Sequence, residues 1–373
     1  MRQKKFFSVL IILICQSALL YALSCTQENQ LESGKNDFKS EMGTGEESVV
    51  YKSWGEIDPE IRSEFLNDYK IMNKERREFY ENYYESMGPK AFLDFLEDKY
   101  AKCHNESHPV GKTIYKIEQD LIKSLRICAN RCTNGCMHGV IAEAYGGKDF
   151  NQVVTEMKKF CTSGEMAEMH KPGNCAHAMG HALMLLNSYE LEKSISGCKE
   201  FDTPAMSYYC STGVFMEFSD KLILQDELGL CGTVARTGLH YPCDTYSDYP
   251  AACYRYTLNH IAKDLGGNIG VLVGECKKLS SRQRIGCYHA LGAVFSPSIR
   301  KNPKLIDSVC MTGNHEEKIT CIEGVIEKLA DYNEDEAMNV CYFTEGEYRK
   351  VCEAAAKEKM YRLDKPSIGL YTN

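Results

Sequence analysis

Three observations predict an all-α fold, an α-solenoid of antiparallel helical hairpins with a period of about 34 residues, each stapled by a disulfide. Cysteines come in pairs: Cys198 with Cys210, Cys276 with Cys287, Cys310 with Cys321, and Cys341 with Cys352, at separations of 12, 11, 11 and 11 residues. The second cysteines recur at Cys253, Cys287, Cys321 and Cys352, which are 34, 34 and 31 residues apart, a spacing that belongs to helical-hairpin arrays. Apolar residues run with helical period through LDFLEDKY, IEQDLIKSLRI and VIEKLADY, whereas the period-2 alternation of strands is missing.

The chain opens MRQKKFFSVLIILICQSALLYALSC, with Arg2, Lys4 and Lys5 ahead of an apolar run and small residues before Cys25. Residues 1–24 read as a secretory signal peptide, too short and wrongly flanked for a spanning helix. ALSC resembles a bacterial lipobox, which implies a diacylglyceryl or acyl lipid on Cys25. Cleaved soluble secretion and a retained amphipathic anchor are the alternatives. Residues 25–49 then form a polar, flexible tether with too little apolar surface to offset ordering entropy. Losing the leader removes three positive charges and no acid, so the formal net charge moves from -8 to -11. An acidic mature chain argues against nucleic acid as a partner and for attachment to the membrane through the lipid rather than through a basic patch.

Residues 50–102, rich in Tyr, Glu and Lys, are expected to form an N-terminal helical cap of two or three helices, and residues 103–373 the Cys/His-rich repeat domain. Of the 19 cysteines, Cys15 lies in the leader and Cys25 would carry lipid, leaving 17 in the folded part. An exported chain this rich in cysteine is expected to be disulfide-stapled. Seventeen is odd, so at least one thiol is free, ligates something or pairs outside the chain. Start signals fall between paired cysteines: Thr203 before Pro204, Ser280 with Gln283, Asn314 with Glu317, and Thr344 with Glu347. The cysteines would thus clamp the two helices of one hairpin, each closure contributing on the order of 3 kcal/mol. Cys161 with Cys175 fits at a longer spacing and Cys243 with Cys253 at a shorter one. Residues 219–242 are an insertion in which Cys231 has no obvious mate. Cys103, Cys128, Cys132 and Cys136 form an irregular cluster whose pairing is open. Soft-metal ligation by the last three, at helical spacing, is the alternative to bridging.

Alignment on the second cysteine exposes a column two positions later: His138, His177, Thr212, Arg255, His289 and Glu323. One turn on lie Ala142, His181, Met216, Asn259, Ala293 and Glu327. Equivalent positions of stacked helices share one surface, so His138, His177 and His181 should be neighbours. CHNESHPVG adds His104 and His108, also four apart. Two histidines at that spacing can hold one ion, a third ligand can come from an adjacent helix, and Glu217 is the best carboxylate candidate. A divalent transition metal is then the implied cofactor, with His104, His108, His138, His177 and His181 as its ligands and Glu217 as a further ligand or general base. The bland alternative is a polar groove, continued by Thr212, Arg255, His289 and Glu323, whose histidines bond backbone or carboxylates. Gly139, Gly180, Gly213, Gly292 and Gly324 read as points of close helix approach rather than as room for a ligand. No GxSxG, phosphate loop or haem-attachment motif occurs.

In design, Cys161 to Cys352 is similar to the secreted cysteine-rich Sel1-like repeat proteins of bacteria, although the LGxxYxxGxGV signature is absent. That resemblance implies a binding surface rather than an enzyme. CHNESHPVG, CTNGCMHG, CAHAMGHA and CSTGVFMEF resemble motifs of exported bacterial Cys/His-motif lipoproteins, a likeness that implies no mechanism. Three functions follow as expectations. The first is a lipid-anchored cell-envelope protein whose repeat binds a protein, peptide or cell-wall ligand. The second is a metal-dependent enzyme or metal-binding lipoprotein, and the third a structural envelope protein.

Overall fold

The computed structural model describes residues 51–71, 76–100, 103–228, 236–330 and 333–358. The leader, Cys25, the tether and Cys231 lie outside the described residues. Contacts group the described residues up to 220 and from 236 onward into one body. Among the described residues every regular element is helical, as the repeat spacing predicts.

After a 3-10 turn at Trp54–Glu56, the helices are α1 (Pro59–Ile71), α2 (Arg76–Lys99), α3 (His104–Glu118), α4 (Leu121–Cys128), α5 (Gly135–Tyr145) and α6 (Phe150–Cys161). Next come α7 (Gly164–Met169), α8 (Pro172–Leu186), α9 (Leu191–Cys198), α10 (Pro204–Leu228), α11 (Pro250–Asp264) and α12 (Ile269–Lys277). The chain continues with α13 (Ser281–Lys301), α14 (Leu305–Cys310), α15 (His315–Ala330), α16 (Glu334–Cys341) and α17 (Gly346–Glu358). None is long and apolar enough to cross a membrane.

The N-terminal helices are held together by aromatic rings. Phe65 of α1 is fully buried and meets Phe79, Tyr83, Phe92 and Phe95 of α2 at centroid distances of 4.9, 5.2, 5.9 and 5.2 Å. Trp54 closes this cluster against Phe65 and Phe95. Edge-to-face and offset pairs of this kind add about 0.5–1.5 kcal/mol each beyond area burial. Within α2, Gly88 takes φ 78° just before Pro89, so the element is two helices meeting at a kink.

Each hairpin pairs a short first helix ending at or beside a cysteine with a second helix carrying its mate. The bonds Cys161–Cys175, Cys198–Cys210, Cys276–Cys287, Cys310–Cys321 and Cys341–Cys352 join α6 to α8, α9 to α10, α12 to α13, α14 to α15 and α16 to α17. Cys243, in a turn, bonds Cys253 of α11. The longer Cys161–Cys175 loop accommodates α7. Helix starts are capped by Asp149, Ser163, Asn268 and Asn333, whose side chains accept from the backbone N–H three residues on. Such caps contribute about 0.5–2 kcal/mol each. The Ser280–Gln283 capping box forms, Asn314 and Glu317 exchange side-chain and backbone bonds, and Thr203 accepts from Met206 N–H. Thr344 differs: its hydroxyl donates back to the Cys341 carbonyl, closing the end of α16 instead of opening α17.

Two other local readings are corrected. The apolar run 117–127 is broken, because Gln119 turns left-handed (φ 54°) and Asp120 caps a new helix. Cys128, Cys132 and Cys136 do not share a helix face, because Cys132, Thr133 and Asn134 have φ of 48°, 51° and 67°. That turn sends Cys132 to Cys103 and leaves Cys128 to bond Cys136. Cys128–Cys136 is thereby the staple of one more hairpin, α4 with α5. Eight disulfides among the described residues point to an oxidising, extracellular or envelope environment.

The second helices pack in a row: α3 on α5, α5 on α8, α8 on α10, α10 on α11, then α13, α15 and α17. Glycines set the closest crossings. A Cβ on Gly180 of α8 would stand 2.0 Å from the Cys210 carbonyl oxygen of α10, and one on Gly139 of α5 would stand 2.1 Å from the His108 carbonyl oxygen of α3. No side chain fits there, and the helix backbones meet directly.

Candidate metal centre

Those close crossings carry the histidines. His104 and His108 sit on the first turns of α3, His138 on α5, His177 and His181 one turn apart on α8, and Glu217 on α10. Because α3, α5 and α8 are consecutive in the row and meet backbone to backbone, their histidines converge. Ring centroids are 4.7 Å apart for His104 and His138, 4.6 Å for His138 and His181, 5.3 Å for His138 and His177, and 4.9 Å for His177 and His181. His108 lies 5.0 Å from His104 and 5.6 Å from His138. Ligand atoms fall within 4.8 Å of one another in two triads: His138, His177 and His181, all buried, and His104, His108 and His138.

The hydrogen bonds around the rings fix their tautomers. His181 Nδ1 lies 2.8 Å from Glu217 Oε2, and a carboxylate can only accept, so Nδ1 carries the proton. Tyr189 O–H donates to the other Glu217 oxygen at 3.0 Å. His177 Nδ1 lies 2.8 Å from Thr212 Oγ1, whose one hydroxyl proton is already donated to the Tyr209 carbonyl at 2.5 Å. His177 Nδ1 is therefore also the donor. His104 Nδ1 donates to the Thr133 carbonyl at 2.9 Å. Each of these rings turns its Nε2 into the cluster.

Two of those nitrogens meet. His177 Nε2 and His181 Nε2 are 3.2 Å apart and face each other. Two unprotonated nitrogens at that separation repel unless a proton or a cation lies between them. Desolvation first, then neighbouring charge from His181 and Arg255, holds His177 well below the ordinary imidazole value. His108 and His138 are held down in the same way, and His104 is lowered to about 3, again mainly by burial. A tetrahedral ion bonded to two imidazoles at about 2.0–2.1 Å would set their nitrogens about 3.3 Å apart. Burial disfavours the charge of Glu217 too, but the bonds from His181 and Tyr189 outweigh it and keep the carboxyl at about 2, ionised at neutral pH.

The arrangement matches what metal-bound histidines require: the outer ring nitrogen donates to a carboxylate, hydroxyl or carbonyl, and the inner one is left as a ligand. Glu217, singled out from sequence as a ligand, instead orients His181 from behind. Thr212, named as a groove position, does the same for His177. Arg255, His289 and Glu323, also named along a groove, lie inside the protein at 9, 1 and 6% exposure. There His289 Nε2 bonds Glu327 Oε2 at 2.9 Å, and Arg255 approaches the same carboxylate at 3.6 Å. Tyr189 and the Thr133 carbonyl were not visible in the sequence: both come from turns with positive φ, which leave no spacing signature. A third cluster, Glu97 with Cys103 and Cys132, offers no thiolate, since its cysteines are bonded to each other. Comparison of the chain with family models, with curated proteins and with solved structures finds no match.

Proposed function

We propose that this chain is an exported, lipid-anchored metal-binding protein whose His138, His177 and His181 hold a divalent transition-metal ion. The observation that carries the reading is the convergence of three buried imidazoles, His138, His177 and His181, with the Nε2 atoms of the last two 3.2 Å apart inside the protein. Imidazole donors suit zinc, copper, iron and nickel, and three of them leave a fourth position on a tetrahedral ion. When bound, the ion would supply Lewis acidity at that position. The chain's own part is to orient His181 through Glu217 and His177 through Thr212, and to keep His138 and His177 neutral by burial. Export through residues 1–24 and anchoring through a lipidated Cys25 are supported by the leader, the polar tether and the disulfides.

The test is elemental analysis of the full chain made in an oxidising compartment, beside a His177→Ala, His181→Ala variant. Stoichiometric metal that falls by one ion per chain in the variant is expected. Absence of metal from the wild type after reconstitution with zinc or copper would refute the reading. Replacing Cys25 by Ser should move the protein from the membrane to the soluble fraction.

A repeat body that docks a protein, peptide or cell-wall ligand is the second reading. Tyr342 and Phe343, 63 and 41% exposed between α16 and α17, are the observation in its favour.

A further inference from the structure

His138 is the member common to both triads. It differs from His104, His177 and His181 in having no anchoring bond: both of its ring nitrogens are buried and neither has a hydrogen-bond partner among the described residues, with the residue 2% exposed. Leaving two polar atoms of one ring unsatisfied is costly. The other rings face it from two sides. His177 and His181 lie on α8, while His104 and His108 lie on α3, and the His104 and His181 centroids are nearly equidistant from His138, at 4.7 and 4.6 Å. On the α3 side, His104 Nε2 and His108 Nε2 are also buried without a hydrogen-bond partner. His104 has its other nitrogen fixed by the Thr133 carbonyl, as His181 has by Glu217.

Two ligand triads that share a ring with two unsatisfied nitrogens make a site for two ions rather than one. Resting on the metal reading of the first triad, we propose that the cluster holds two divalent cations of the imidazole-preferring class, copper or zinc. One lies among His138, His177 and His181, the other among His104, His108 and His138, and His138 gives one nitrogen to each. The ring then bridges as imidazolate: both nitrogens form metal bonds, and the single N–H proton of neutral His138 leaves to solvent when the second ion enters. No oxidant or reductant is involved. With bonds of about 2 Å on either side of the ring, the two ions stand about 6 Å apart.

The experiment titrates the metal-free full-length protein with Cu(II) alone, followed by metal analysis and electron paramagnetic resonance. Two ions per chain are expected, and the isolated Cu(II) signal seen at one equivalent should give way to an exchange-coupled pair at two. A His104→Ala, His108→Ala variant should take one ion and keep the isolated signal. Saturation of the wild type at one ion overturns the two-ion proposal while leaving the first triad standing. Two ions with additive, uncoupled signals overturn the bridge. No bound ion at all refutes the underlying metal reading. The wild-type stoichiometry and spectrum decide the matter even if the variant does not fold.

Discussion

Gly213 of α10 lies against the backbone of His177 in α8: a Cβ at Gly213 would stand 1.9 Å from the His177 carbonyl oxygen. The same contact that packs two helices thus sets the height of a site histidine. Replacing Gly213 by Ala would push the helices apart, with a loss of about 1–3 kcal/mol in line with other overpacked cores. Gly274 of α12 is the control, since a Cβ there meets nothing within 4 Å. Gly274→Ala should stabilise by about 0.4–1 kcal/mol. Chemical denaturation of both variants, read with metal content, checks the pair: only Gly213→Ala should lose both.

Glu217 acts through His181, so its loss should weaken the metal without unfolding the protein. Glu217→Gln keeps the shape and removes the charge that holds the His181 Nδ1 proton. A 10–100-fold rise in metal dissociation constant is expected, with an unchanged far-ultraviolet spectrum. Thr212→Val removes the acceptor for His177 and should act in the same direction. Competition with a chromophoric chelator measures both, and an unchanged affinity in both variants would remove these residues from the site.

Much of this site was legible because the staple fixes register. Six of the eight disulfides tie the end of a first helix to the early turns of a second, so equal offsets from the second cysteine mean similar places on the helix. That is why His138 and His177 fell in one column and His181 one turn on. What the sequence did not reveal is carried by backbone: the left-handed Cys132–Thr133–Asn134 turn decides both the Cys103–Cys132 pairing and the position of the carbonyl that orients His104. A carbonyl has no residue identity to read. Nor did the column distinguish a groove from an interior, because polar residues at helical spacing look alike in either place until packing partners are known.

Buried neutral histidines make the fold acid-sensitive. His170, 3% exposed and bonded through Nδ1 to Asn130 Oδ1, is lowered to about 4, chiefly by burial. Above about pH 6.5 neither the folded nor the unfolded chain protonates it, and it has no effect. Between about 6.5 and 4 the unfolded chain binds a proton that the folded chain does not, so stability falls as pH falls, by up to about 1.4 kcal/mol per unit. Below 4 both states are protonated and the loss levels off. The denaturation midpoint of the metal-free protein should therefore drop between pH 7 and 5, and His170→Gln should flatten the fall. Metal should leave at acid pH too, since a ligand imidazole must be unprotonated.

The staples should differ in what their loss does to the site. In the chain-entropy account, Cys161–Cys175 and Cys341–Cys352 close loops of 14 and 11 residues, so each contributes about 3 kcal/mol. Their positions differ. Cys175 is two residues before His177 on α8, and its bond ties the first turns of that helix to the end of α6. Cys352 lies on α17, at the far end of the row from the histidines. Paired Cys→Ser replacements should therefore lower stability by similar amounts, whereas only the Cys161, Cys175 pair should raise the metal dissociation constant, by several-fold or more. Denaturant titrations and chelator competition on the two variants test this. Equal affinity losses in both would mean that the array transmits strain along its whole length, and that the site depends on the row rather than on the hairpin that bears it.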